Sequence, residues 1–179
     1  MKSAENAEFR CAVCGELLGV PLDWSLEAPD FWLTLSEEDR KLRGVLGSDE
    51  CIVDDKHFFI RGVIEIPIID AGDTFAYGVW VSLSKSNFEC AARLWDNPER
   101  IHAPLYFGWL SNSIYGYPDT LNLKTNVHTR EVGMRPLIEL EPTDHPLAVE
   151  QRNGITMARV REIAELNHHR GQTSPTPEV

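Results

Sequence analysis

Long apolar runs are missing from this chain. No stretch approaches the roughly 18 consecutive apolar residues that a membrane-spanning helix needs, so no membrane association is expected. The opening residues, "MKSAENAEFR", hold no basic region followed by an apolar stretch, so no secretory signal is expected either. Positive charge is short as well: 17 Lys and Arg face 28 Asp and Glu, a net charge of −11. Displacing counterions from phosphates requires clustered Lys and Arg, so nucleic acid is not an expected partner. The acidity suits a basic protein partner, although it also serves solubility alone. Cysteine is sparse: four residues at irregular spacing make no disulfide framework, and 179 residues can bury a core without one. These absences predict a cytoplasmic protein. The chain also lacks Gly-x-x-x-x-Gly-Lys, Gly-x-Gly-x-x-Gly, His-Glu-x-x-His and Gly-x-Ser-x-Gly, which argues against the commonest catalytic architectures without excluding catalysis.

What is present reads as one packed domain. Apolar residues make up 42% of the chain, with five Trp and seven Phe. Residues 1–7 read as a flexible leader, 8–170 as a single globular domain, and "GQTSPTPEV", 171–179, as a disordered tail rich in proline and poor in apolar side chains. "HFFIRGVIEIPI", 57–68, alternates: Phe58, Ile60, Ile64, Ile66 and Ile68 share one face, His57, Arg61 and Glu65 the other. "TFAYGVWVSLS", 74–84, repeats the period, and "DAGD" between them predicts a hairpin. "LNLKTNVHTR", 121–130, alternates with Leu121, Leu123 and Val127 inward, and "PLIELEP", 136–142, is its expected neighbour. Helical spacing is read in "SEEDRKLR", 36–43, capped by Ser36, in "KSNFECAARLWD", 85–96, capped by Ser86 or Asn87, and in "GITMARVREIAELNHH", 154–169. The predicted class is α+β: an antiparallel β-sheet with helices packed on one face, preceded by a short Cys-x-x-Cys knuckle.

That knuckle is "EFRCAVCGELLGVP", 8–21. A Cys-x-x-Cys-Gly turn aims two sulfurs at one point, and Gly15 permits a positive φ after the second cysteine. A redox pair needs instead the start of a helix to lower the thiol pKa, and Gly15, Gly19 and Pro21 interrupt any helix here. A thiol redox sensor using Cys11 and Cys14 is therefore the weaker reading, and two plain reduced thiols the bland one. A zinc site needs two more ligands. Cys51 in "SDECIVDDKHFF" is the best third, with His57 a candidate fourth beside Asp49, Asp54 and water, whereas Cys90 falls among helical core positions.

Two polar clusters could carry chemistry. His57, Arg61 and Glu65 share the polar face of one strand, with Trp80 on the minority face of the next. Tyr117, Asp119, His128, Arg130, Arg135, Asp144 and His145 crowd the region 117–145. An enzyme would use His128 or His145 as general base, a carboxylate to orient it and an arginine to clamp an anion. A solvated strand histidine and a capping turn in "TDHP" explain the same residues without chemistry. The candidate pocket is lined by Arg61, Trp80, His128 and Arg135.

Taken in order, "FRCAVCG", "FFIRGVIEIPI", "YGVWVSLS", "YFGWLSN", "YPDTLNLKTNVHTR" and "RPLIELEPTDHPLAVEQRNGI" resemble the bacterial family named domain of unknown function 2199, over roughly residues 8–165. The resemblance implies no activity. It does imply a Cys–Cys–His–Cys metal set, with a histidine shortly after the knuckle and a cysteine matching Cys51. Here Leu17 and Leu18 stand in that stretch, and no histidine does. The leading expectation is a non-enzymatic protein-binding module with a structural zinc knuckle at Cys11, Cys14, Cys51 and His57. The alternative is an enzyme working in the Arg61, Trp80, His128 and Arg135 pocket.

Overall fold

Two long alternating runs organise everything else. In the computed structural model, which describes residues 8–170, the elements follow in this order: β1 (Glu8–Arg10), β2 (Leu17–Gly19), β3 (Asp23–Ser25), α1 (Asp30–Leu33), α2 (Glu37–Arg43), β4 (Gly44–Leu46), β5 (Glu50–Val53), β6 (His57–Ile68), β7 (Asp73–Leu83), α3 (Lys85–Arg93), a 3-10 helix (Pro98–His102), β8 (Tyr106–Leu110), β9 (Lys124–His128), β10 (Leu137–Leu140), α4 (Pro146–Asn153) and α5 (Met157–His168). The expected leader and tail lie outside the described residues. No helix among the described residues is long and apolar enough to cross a membrane.

β6 and β7 pair antiparallel along their whole length, from Phe58 opposite Leu83 to Ile68 opposite Asp73, as the alternation and the intervening turn predict. The sheet does not stay open. β8 pairs with β7, β9 with β8, β10 with β9, and β10 returns to β6 through Leu137 and Val63, closing a five-stranded barrel. An odd number of strands cannot alternate direction all the way round, so one seam must be parallel, and it is β10–β6. This corrects the expected sheet with helices on one face. Alternation distinguishes two faces of a strand, and the inner face of a barrel repeats the same pattern as the covered face of an open sheet.

The barrel encloses the main core: Ile60, Ile64 and Ile66 from β6, Phe75, Tyr77, Val79 and Val81 from β7, with Leu110, Val127 and Ile138 from the shorter strands. Gly62 sits at the β10–β6 seam. A Cβ there would lie 2.5 Å from two side-chain carbons of Ile138 and 3.0 Å from the Pro136 carbonyl, so any side chain at this position would push Ile138 or β10 aside. Helices α4 and α5 contribute Leu147, Ala148, Val160 and Ile163 to the same core. On the outer face a second cluster gathers Ala28, Trp32, Cys51, Val53, Phe59 and Trp80. The minority face of the β6–β7 hairpin is thus buried locally too, where β5 extends the sheet.

Local chemistry sets the element ends. Ser36 caps α2 by accepting from Asp39 N, as its spacing predicts. The cap of α3 is Ser84, which accepts from Asn87 N, rather than Ser86 or Asn87. In "TDHP" the cap is His145, whose Nδ1 accepts from Leu147 N at 3.2 Å. Leu121 falls in the turn before β9 and stays exposed, while Thr125 takes the inward position beside Val127.

Candidate metal centre

The N-terminal hairpin is a separate two-stranded sheet, in which Phe9 faces Leu18 across three residue pairs. Its turn is the knuckle. Cys11 N donates to Glu16 O at 2.8 Å and Gly15 N to Cys11 O at 2.9 Å, while Gly15 holds φ at 76°. No atom approaches the place a Gly15 side chain would take, so the left-handed backbone alone calls for glycine there.

The turn faces the far end of the chain. Helix α5, capped by Thr156, runs to His168, and His169 leaves the helix as its C-cap with φ −89° and ψ 0°. That break lets two adjacent histidines point to the same side, with ring centroids 4.8 Å apart. Cys11 Sγ lies 3.2 Å from His169 Nε2, and Cys14 Sγ lies 3.9 Å from His168 Nε2. His168 Nε2 also meets Glu16 Oε2 at 2.9 Å, and Ala12 N donates to Glu165 Oε1 at 2.6 Å, tying the turn to the helix by a second contact. Two overlapping ligand sets result, each with its donor atoms within 4.8 Å of one another: Cys11, Cys14 and His169, and Cys14, Glu16 and His168.

These residues fit a metal ion. A tetrahedral zinc with bonds near 2.3 Å to sulfur and 2.0–2.1 Å to nitrogen places sulfur and nitrogen ligands about 3.6 Å apart, and the two thiol–imidazole separations bracket that value. The electrostatics agree. The Cys14 backbone N–H does most to lower the Cys11 thiol, to about 7, with His169 and the Val13 N–H adding to it against the opposing effect of burial. Cys14 moves the other way: the Glu16 backbone N–H favours its thiolate, but desolvation and the adjoining Cys11 and Glu16 charges outweigh it. Cys11 is thus the more readily ionised of the two thiols. The C-terminal end of α5 presents the negative end of its dipole, which favours a bound cation.

Cys51 and His57 belong to neither ligand set. Cys51 is 0% exposed among apolar side chains, and burial pushes its thiol up to about 12, so it is core rather than ligand. His57 opens β6 and packs its ring against Phe31 at 4.6 Å. The side chains that do stand beside Cys11 and Cys14 are His169 and His168. Both stand in the stretch read as a C-terminal helix, and the signal available was two adjacent histidines just past the last apolar position of that helix.

The candidate pocket comes together in part. The Arg61 guanidinium lies over the Trp80 ring at 5.8 Å, and Arg135 Nε donates to Asp49 Oδ1 at 2.5 Å, while Asp49 O accepts from Arg61 N. Trp80 is buried throughout and gives its indole N–H to Leu26 O. His128 stands apart, paired with Glu139 at 2.7 Å beside a different cleft lined by Glu65 and Pro67. Of the other polar candidates, Tyr117 donates to Glu150, and Arg130 pairs with Glu65 at 2.5 Å.

Among curated proteins and among solved structures, nothing matches this chain. Residues 10–155 match the model of a family described as an uncharacterized protein conserved in bacteria, a span that ends before His168 and His169. The chain belongs to that bacterial family, domain of unknown function 2199.

Proposed function

We propose that this protein is a non-enzymatic protein-binding domain whose N-terminal hairpin is fastened to its C-terminal helix by a structural zinc ion. The observation that carries the metal half is the convergence of two thiols and two imidazoles from opposite ends of the chain. Cys11, Cys14 and His169 supply three ligands; His168 becomes the fourth by exchanging Glu16 for the ion. A closed set of sulfur and nitrogen ligands suits a structural site, since a catalytic zinc keeps a position open for water or substrate. The ion would supply cross-linking rather than chemistry.

The binding half is supported by charge and by β8. The net charge of −11 favours a basic partner. Strand β8 turns Tyr106 and Leu110 inward and leaves Phe107 and Trp109 outward, 47% and 40% exposed, their rings edge to face at 5.0 Å. Such outward aromatics are enriched where proteins meet. The enzymatic reading is weaker because its histidine, His128, stands at a different cleft from Arg135. The compartment this reading implies is the cytoplasm, where reduced thiols persist.

Metal content of protein purified without a histidine tag tests the first half. About one zinc per chain is expected, lost in Cys11→Ser and His169→Ala, weakened in His168→Ala and kept in Glu16→Gln. Retention in His168→Ala with loss in Glu16→Gln would make the carboxylate the fourth ligand. No zinc in the wild-type protein would overturn the reading. A photo-crosslinker placed at Trp109 in growing cells tests the second half: one adduct with a basic protein is expected, and no adduct counts against it.

A further inference from the structure

A cleft of about 620 Å³ opens on the outside of the barrel seam, between the β9–β10 connection and the segment that follows α3. Three arginines line it, and two have carboxylate partners in the protein. Arg130 gives Nη1 to Glu65 at 2.5 Å and Nε to the Arg135 carbonyl at 2.6 Å; Arg135 gives Nε to Asp49. Arg100, on the 3-10 helix, differs. It is 2% exposed, it lies over the Trp95 ring at 4.7 Å, and its Nη1 donates to Trp95 O at 2.5 Å. Among the described residues no carboxylate pairs with it, and its Nε–H meets no acceptor.

Burying a guanidinium without a counter-charge is unfavourable, because its charge loses water and gains no opposite charge in return. This chain has 28 carboxylate side chains to choose from, and Asp96 lines the same cleft without pairing with Arg100. We propose that the cleft binds a small organic oxyanion, with Arg100 as its principal ligand and Arg130 and Arg135 beside it. The planar guanidinium fork is matched by a carboxylate or a phosphate monoester, either of which accepts two parallel N–H bonds. The rest of the cleft gives the ligand a body: Val132 and Met134 stand exposed on its wall near Trp95, so an anion carrying an apolar or aromatic group fits better than a bare ion.

The test is a titration of the full chain, zinc-loaded or not, followed through the arginine Nε–H resonances and through tryptophan fluorescence. Inorganic phosphate, benzoate and phenyl phosphate serve as probes, each to about 10 mM, which reaches binding as weak as roughly millimolar. A saturable shift of the Arg100 Nε–H signal is expected, with one of the aromatic probes binding at least about tenfold more tightly than inorganic phosphate. Preference for benzoate identifies a carboxylate ligand, and preference for phenyl phosphate a phosphate monoester. Arg100→Lys keeps the charge but loses the fork, and should weaken the preferred probe about tenfold or more. Because Arg100 also holds Trp95 O, Met134→Ser provides a second variant: it should weaken the aromatic probes and leave inorganic phosphate unchanged. No saturable shift from any of the three probes in the wild-type protein overturns the proposal, as does undiminished binding by a folded Arg100→Lys variant.

Discussion

Replacing His169 with alanine removes one imidazole from the centre without touching the barrel, and its effect follows from what else holds residues 8–19. Three residue pairs join β1 to β2, two backbone bonds close the knuckle, Ala12 N reaches Glu165, and Phe9 packs half-buried on the main core. A two-stranded hairpin is marginal in water by itself. At about 1 kcal/mol net for each hydrogen bond, offset by the entropy of ordering the segment, opening without metal costs roughly 1–3 kcal/mol. Structural zinc in peptides is worth about 10–16 kcal/mol, comparable to or above the roughly 5–15 kcal/mol of a whole domain. With metal bound, the hairpin therefore opens only when the domain unfolds. The difference is at least about 2 kcal/mol, so the amides of Cys11, Ala12 and Gly15 should lose at least about thirtyfold of hydrogen-exchange protection. The same loss should follow when zinc is chelated from the wild-type protein, while Ile64 and Val79 in the barrel keep their protection. Unchanged protection at Cys11, Ala12 and Gly15 in both experiments would refute the reasoning, because packing alone would then hold the hairpin. Loss spreading into β6 and β7 would show the hairpin to be part of the barrel's cooperative unit.

Gly62→Ala drives a methyl group into Ile138 and the Pro136 carbonyl; overpacking of this kind costs about 1–3 kcal/mol, or roughly 2–12 °C in Tm, and Ile138→Val in the same chain should return part of it, as thermal denaturation of the single and double variants would read. Tyr117→Phe removes the hydroxyl that donates to the part-buried Glu150 carboxylate, leaving it to Arg159 at 2.9 Å; a loss of about 1–3 kcal/mol in urea denaturation is expected, and none would mean the bond contributes nothing net. Burial acts to raise the Asp49 carboxyl, but hydrogen bonds from Arg135 and Ser48 outweigh it and hold the group below the usual carboxylate range. Its contribution is accordingly present above the unfolded value near 4 and lost as pH falls through the lower folded value, so the stability difference between wild type and Asp49→Asn should shrink on going from pH 5 to pH 3 and not on going from pH 5 to pH 7.

The β6–β7 hairpin was legible because apolar side chains recur at alternate positions from Phe58 to Ile68, save at Gly62, and its turn is marked by Asp, Gly and Asp. Barrel closure was not, since the inward positions Ile60, Ile64 and Ile138 read the same in an open sheet; the barrel closes at a single parallel pairing between segments 74 residues apart, Val63 and Leu137, where Gly62 leaves room for the Ile138 side chain. Cys51 misled for a related reason. A cysteine near aspartates and a histidine in sequence resembles a ligand, but Cys51 and Val53 share the buried face of β5 and turn into an apolar cluster while Asp54 and His57 stay outside it. Half of the candidate metal centre could be read from "CAVCG", because a local turn aims both sulfurs. The other half depends on where α5 ends in space, and nothing in "NHHR" states that it ends beside Cys11.

That separation has a consequence for how the site assembles. His169 is 158 residues from Cys11, and closing a loop of that length in a disordered chain costs about 5 kcal/mol by the chain-entropy estimate for a cross-link. Cys11 and Cys14 need no such closure, so the unfolded chain offers zinc two thiols and the folded chain offers it those two with His168 and His169 already beside them. Val160 and Ile163 dock α5 on the barrel core, and on the proposed reading that docking, not the ion, offsets the entropic cost. Zinc affinity of the full centre is therefore a readout of whether α5 is docked. A destabilised barrel such as Gly62→Ala should bind zinc less tightly without any change to a ligand, and added zinc should raise its Tm. Equal zinc affinity in a half-unfolded and a fully folded population would mean that the two cysteines alone account for binding, and that the histidines stand beside the ion without holding it.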